Sequence, residues 1–119
     1  YTKKDLDWTA PRSRSTLEMK DKSSRPEIEG QVENMDQYDT IYVGFPIWWY
    51  VAPTIINTFL ESYDLSGKTV VPFATSGGSG MGKTLDGLKG SCNGDLRPGK
   101  MWIGNVPEES VRLWAEIRK

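Results

Sequence analysis

Two stretches of the chain abandon alternation of polar and apolar residues and become continuous apolar runs. They are Ile41-Tyr42-Val43-Gly44-Phe45, set between Asp39 and Pro46, and Thr69-Val70-Val71-Pro72-Phe73-Ala74-Thr75, which follows the turn residues Ser66-Gly67-Lys68. Short runs rich in β-branched and aromatic residues, bounded by turn formers, predict parallel strands covered on both faces. Between them, Ile55, Ile56, Phe59, Leu60 and Tyr63 recur at helical spacing, opposite Asn57, Thr58, Glu61 and Ser62. Pro53 precedes them, and the first helical turn is where a missing N–H costs nothing. Strand, helix and strand in succession predict one right-handed crossover unit.

The pattern is weaker on either side. Residues 1–37 are polar and read as a long connection with one short helical candidate, Ser13–Lys20, offering Leu17 and Met19 to the core. Trp8 and Leu17 are expected to pack this connection down, and its length is unusual inside a compact domain. Val32, Met35 and Tyr38 are spaced to touch the sheet. After the second strand, Ser76–Thr84 is glycine-rich and leads into a weak helix to Lys89 that Gly87 and Gly90 keep short. Lys100–Ile103 predicts a third strand with a kinked start near Asp95–Arg97. Asn105 with Glu108 has the spacing of a capping box, Pro107 stands in the first turn, and Val111, Trp114 and Ile117 form an apolar stripe. Arg118 and Lys119 suit the carboxyl end of that helix. The prediction is a single α/β domain over 1–119, with a βαβαβα core in 38–119.

Composition narrows the chemistry. The chain has 119 residues and a net charge of −1, so it lacks the basic footprint of a nucleic-acid binder. One cysteine, Cys92, excludes an intramolecular disulfide, and the absence of histidine removes the commonest metal ligand and general base. Zinc sites and Ser-His-Asp catalysis are excluded, and no catalytic or metal-ligating set is assigned. No run approaches the ~18 apolar residues of a membrane span, so a cytoplasmic setting is expected.

Two constellations remain. Gly77, Gly82, Lys83 and Thr84 match G-x-x-x-x-G-K-T after a strand, the spacing of a nucleotide-binding P-loop. Against it, Gly87 and Gly90 interrupt the helix that should face the phosphates, and no second strand ends in an aspartate for magnesium. The other is Pro46-Ile47-Trp48-Trp49-Tyr50, at the carboxyl end of the first strand, where open α/β sheets place ligands. In extended structure these side chains cannot all enter one core, so at least one large ring lies at the rim. Beside a glycine loop it makes a slot for a flat heterocycle or, equally, an interface patch.

Three motifs, residues 38–53 (YDTIYVGFPIWWYVAP), 57–61 (NTFLE) and 73–80 (FATSGGSG), resemble the bacterial flavodoxins of the short Trp-Trp type. Residues 1–26 resemble the connection that precedes the third strand there. The resemblance implies a three-layer α/β/α flavodoxin-like parallel sheet, N-terminally truncated, because the family's first strand, phosphate loop and first helix have no counterpart before Tyr1. It implies an FMN-binding electron carrier that works with redox partner proteins, with Pro46, Ile47, Trp48 and Trp49 flanking the isoalloxazine. Thr75, Ser76, Gly77, Gly78, Ser79 and Gly80 would supply hydrogen bonds to the flavin's pyrimidine edge. Loss of the phosphate loop would weaken FMN by orders of magnitude, since each charged hydrogen bond is worth about 1.5–3 kcal/mol. It would also bare the edge of Ile41–Phe45, which is then expected to pair with another copy, the amino-terminal segment or a missing partner. The alternatives are an FMN-dependent NAD(P)H:quinone or azo reductase, a P-loop nucleotide binder through Gly77–Thr84, and a non-catalytic interaction module.

Overall fold

The computed structural model describes residues 1–76, 78 and 80–117. Among the described residues, four short helices and four strands follow one another: α1 (Arg14–Lys20), β1 (Thr40–Pro46), α2 (Thr54–Glu61), β2 (Thr69–Ser76), α3 (Thr84–Lys89), β3 (Asp95–Leu96), β4 (Lys100–Ile103) and α4 (Glu108–Ile117), with a 3₁₀ turn at Met35–Gln37. β1 and β2 run parallel in register from Thr40↔Thr69 to Pro46↔Thr75. The far side of β2 is shared by β3, through Val70↔Leu96, and β4, through Phe73↔Lys100, both parallel to it.

The kinked start expected at Asp95–Arg97 is a bulge. Val71 and Pro72 of β2 face Arg97, Pro98 and Gly99, one residue more than the register needs. Pro98 brings no N–H to the ladder, and a Cβ on Gly99 would lie 2.5 Å from the Pro72 carbonyl. An extra residue reverses which side chains face which layer, so Trp102 joins the side of Phe73 and Thr75.

One face of the sheet carries the core: Val43, Phe45, Val70 and Ala74 pack with Leu60 of α2, Leu88 of α3 and the connecting Met35 and Leu65. α4 covers the other face through Trp114, whose ring lies edge-on 6.1 Å from each of Tyr42, Phe73 and Trp102. That completes three layers. Cover on both faces of β1 was expected and is only partial, because Gly44 and Pro46 stay exposed where α4 does not reach. A Cβ on Gly44 would come within 2.4 Å of the Phe73 ring, which lies across it.

Three expectations are corrected. Trp8 and Leu17 do not pack the amino-terminal connection down; they are 71% and 54% exposed, and α1 buries Ser15, Thr16 and Glu18 instead. The reason is polar. Ser13 caps α1 at the Thr16 N–H, Ser15 N–H donates to the Asp5 carbonyl, and Glu18 accepts from Arg14 Nε at 2.7 Å and from the Tyr1 hydroxyl. Asn57, assigned to the outer face of α2, is buried, donating at 2.9 Å to the Gly87 carbonyl and to Ser91 Oγ. Pro107 precedes α4, its carbonyl accepting the first bonds from Ser110 and Val111, and no hydrogen bond joins Asn105 to Glu108 among the described residues. Val111 and Trp114 are partly buried while Ile117 is exposed, and the expectation for Arg118 and Lys119 lies outside the described residues.

Candidate functional site

β1 ends at Pro46, and Ile47 prolongs its pairing by donating its N–H to the Thr75 carbonyl at 2.9 Å. The chain then reverses in two residues. Trp48 N–H donates to the Val51 carbonyl at 2.9 Å and Val51 N–H returns the bond at 3.1 Å, with φ of 45° at Trp49 and 70° at Tyr50. Positive φ at both central residues is the type I′ hairpin geometry, which ordinarily selects Asn-Gly. Here a tryptophan and a tyrosine hold it. Left-handed backbone at bulky residues costs on the order of 1–3 kcal/mol each and recurs at ligand clamps. The extended rim expected from sequence is therefore a tight turn, which leaves Trp48 partly buried and Trp49 43% exposed.

The turn walls a cavity of about 340 Å³ lined by Leu6, Trp8, Ser15, Ile47, Trp48, Trp49 and Tyr50. Three of these, Leu6, Trp8 and Ser15, come from the amino-terminal connection and were missed. A polar segment with a lone exposed tryptophan gives no periodic signal, and its folding back against residues 47–50 is a long-range contact. Behind Trp48 stand two groups in a row. The Tyr1 ring meets Trp48 edge-on at 5.5 Å, and the Arg14 guanidinium lies 4.5 Å from the Tyr1 centroid. Burial, then the hydrogen bond to Glu18, pushes the Tyr1 phenol far above its ordinary range, so it stays a neutral donor to that carboxylate.

Of the residues named from sequence, Ile47, Trp48 and Trp49 meet in the cavity wall, while Pro46 lies at the end of β1 without lining it. Thr75 and Ser76 end the neighbouring strand, and Gly78 and Gly80 are exposed in the loop beyond, also outside the lining. Gly77 and Ser79 lie outside the described residues. The loop nevertheless bears on the turn: Gly82 has φ of 54°, and a Cβ there would sit 2.6 Å from the Tyr50 carbonyl oxygen. Only glycine fits both demands.

The P-loop reading loses a part. Thr84 is fully buried and its hydroxyl donates to the Met81 carbonyl, so it does not present an oxygen to a magnesium ion. α3, which it opens, is six residues long.

The cavity suits a flat, largely apolar ring. Its volume is in the usual range of ligand clefts, its walls are aromatic and aliphatic, and it opens at the carboxyl end of a parallel strand. Among the described residues that line it there is no lysine or arginine, so the lining suits an uncharged ring better than a phosphate. Among the described residues no helix is long and apolar enough to cross a membrane.

The model of the flavodoxin family matches residues 1–118. No curated protein matches the chain. Two crystal structures assigned as flavoproteins do. One, from Bacteroides eggerthii, is 45% identical with a TM-score of 0.84, the match covering 99% of this chain and 74% of that one. The other, from Bacteroides uniformis, is 45% identical with a TM-score of 0.85, covering 98% and 74%. The family model spans nearly the whole chain and the two solved structures share its fold, so this chain belongs to the flavodoxin family.

Proposed function

We propose that the cavity at the tryptophan turn holds the isoalloxazine of FMN and that the protein serves as an electron carrier. The observation that carries this reading is the wall itself, with Ile47, Trp48 and Trp49 fixed at the end of β1 around about 340 Å³. Bound FMN supplies the redox chemistry. The protein's own part is positional. Stacking on an indole orients the ring, and the Tyr1–Arg14 row stops Trp48 from retreating. The left-handed Trp49–Tyr50 turn keeps Trp49 at the surface, where a partner protein can approach. Backbone N–H groups of the loop after Ser76 are the donors nearest in sequence for the polar edge of the ring.

The same reading places the protein in the cytoplasm among redox partner proteins and assigns the free edge of Ile41–Phe45 to a second copy, which sedimentation would detect. A reductase differs from a carrier in turnover. The test loads the protein with FMN, reduces it chemically and follows reoxidation by a one-electron acceptor, beside a parallel assay with NAD(P)H and a quinone. A carrier is reoxidised stoichiometrically and leaves NAD(P)H untouched. Steady NAD(P)H oxidation would assign the reductase, and protein that retains no flavin would remove both.

A further inference from the structure

Trp48, in the wall of the slot, has a phenol against it, and that phenol is joined to a base. Tyr1 meets the indole edge-on, 5.5 Å between ring centroids and 88° between planes. Its hydroxyl donates to Glu18 Oε1, while Arg14 Nε donates to the other carboxylate oxygen, Oε2, at 2.7 Å. Arg14 and Glu18 lie one turn apart on α1, and Glu18 is buried.

A second indole and phenol pair has the contact without the base. Tyr42 lies 6.1 Å from Trp114, also edge-on, but its hydroxyl donates to the Ala115 carbonyl, which does not take up a proton. The difference matters once an electron is removed. A phenol gives up an electron readily only when its proton leaves as well, because the phenol radical cation is a very strong acid. At Tyr1 a carboxylate is already hydrogen-bonded to receive that proton. The Arg14 guanidinium, 4.5 Å from the centre of the Tyr1 ring, makes positive charge on the ring costly, so electron and proton leave together.

We propose that Tyr1 is a redox-active tyrosine that refills Trp48 when a one-electron oxidant reaches the slot, with Glu18 as its proton acceptor. The oxidant takes one electron from the indole and leaves a radical cation. Tyr1 supplies an electron across the ring contact, and its phenol O–H bond breaks as the proton passes to Glu18 Oε1. Trp48 is restored, Tyr1 becomes a neutral radical and Glu18 a carboxylic acid, so the summed charge of the group is the same before and after the transfer. Tyr1 is 45% exposed, and a soluble one-electron reductant such as ascorbate can return the electron while Glu18 gives back the proton. The relay spares a slot indole from lasting oxidation. The inference goes beyond the flavin reading, since it concerns an oxidised indole whatever took the electron.

The test is pulse radiolysis of the flavin-free chain with azide radical, which oxidises indoles in preference to phenols, following indolyl absorption as it decays and tyrosyl absorption as it grows. The unaltered protein is expected to show a first-order tyrosyl growth, independent of protein concentration and slower in heavy water. Tyr1→Phe and Trp48→Phe are each expected to abolish that phase. Glu18→Gln keeps an oxygen for the phenol but no place for its proton, and is expected to slow the phase by about a hundredfold, the low end of what a positioned base contributes. Tyr42→Phe is expected to leave it intact. Should Glu18→Gln lose its near-ultraviolet circular dichroism, the comparison of heavy and ordinary water on the unaltered protein decides alone. A phase that survives Tyr1→Phe, and so belongs to Tyr50 or another phenol, an unchanged rate in folded Glu18→Gln, equal rates in the two waters, or no tyrosyl growth would each overturn the proposal. No flavin takes part, so these outcomes leave the flavin reading standing, and failure to bind FMN leaves the relay standing.

Discussion

Gly82→Ala probes the junction between the glycine loop and the tryptophan turn. The residue has φ of 54°, and a left-handed conformation costs an L-residue about 1–2 kcal/mol. Its new Cβ would also sit 2.6 Å from the Tyr50 carbonyl oxygen, a backbone atom that cannot rotate away. Relieving an overlap of this kind by shifting backbone typically costs 1–3 kcal/mol. Together these give a loss of about 2–5 kcal/mol, a large share of the 5–15 kcal/mol that holds a domain together. With a mid-range urea m-value of about 2 kcal/mol/M, the midpoint should fall by roughly 1–2.5 M. Gly80→Ala is the control, because its Cβ meets nothing within 4 Å and its φ is not left-handed. It should be neutral, or stabilising by about 0.4–1 kcal/mol through the unfolded chain. Where Gly82→Ala still folds, the displaced Tyr50 carbonyl should weaken FMN more than Gly80→Ala does. Equal midpoints for the two variants would refute the claim that the loop presses on the turn.

Other outcomes follow from the packing. Gly44→Ala should cost about 1–3 kcal/mol and alter the near-ultraviolet circular dichroism, because its Cβ displaces the Phe73 ring from Trp114; an unchanged spectrum would contradict the arrangement. Asn57→Ala should lower stability by about 1–3 kcal/mol in urea unfolding by leaving the Gly87 carbonyl and Ser91 hydroxyl without their donor. The Glu61 carboxyl is held below its ordinary 4.5 by the hydrogen bond from Arg25, then by that from Ser91. Its contribution is therefore complete above about pH 4.5 and lost as pH falls through the depressed value, and Glu61→Gln should flatten that acid limb of the urea midpoint.

The central crossover was legible because its signals are local: an apolar run, a helical stripe and a second apolar run need only neighbouring residues to be read. A kinked start to the third strand was expected near Asp95–Arg97, and the structure puts the extra residue among Arg97, Pro98 and Gly99. What escaped depends on contacts distant in sequence. Asn57 looks polar and outward until Gly87 of α3 and Ser91 just beyond it, 30 and 34 residues away, satisfy it. Leu17 looks like a core residue until the buried side of α1 proves to be Ser15, Thr16 and Glu18, each supplied with a polar partner. At the site, sequence named Ile47, Trp48 and Trp49 but not their geometry. A type I′ turn at Trp49–Tyr50 contradicts local propensity, and conflict of that kind is where ligand sites are expected. Leu6, Trp8 and Ser15 enter the wall only through folding of a segment without periodicity.

The most direct test of the flavin slot is the fluorescence lifetime of FMN titrated with the protein, compared with the Trp48→Leu and Trp49→Leu variants. An isoalloxazine stacked on an indole should lose nearly all of its long-lived emission in the unaltered protein, and at least one variant should restore a large fraction of it at equal bound flavin. FMN that binds with its free lifetime intact, or quenching that survives both substitutions together, would contradict the account.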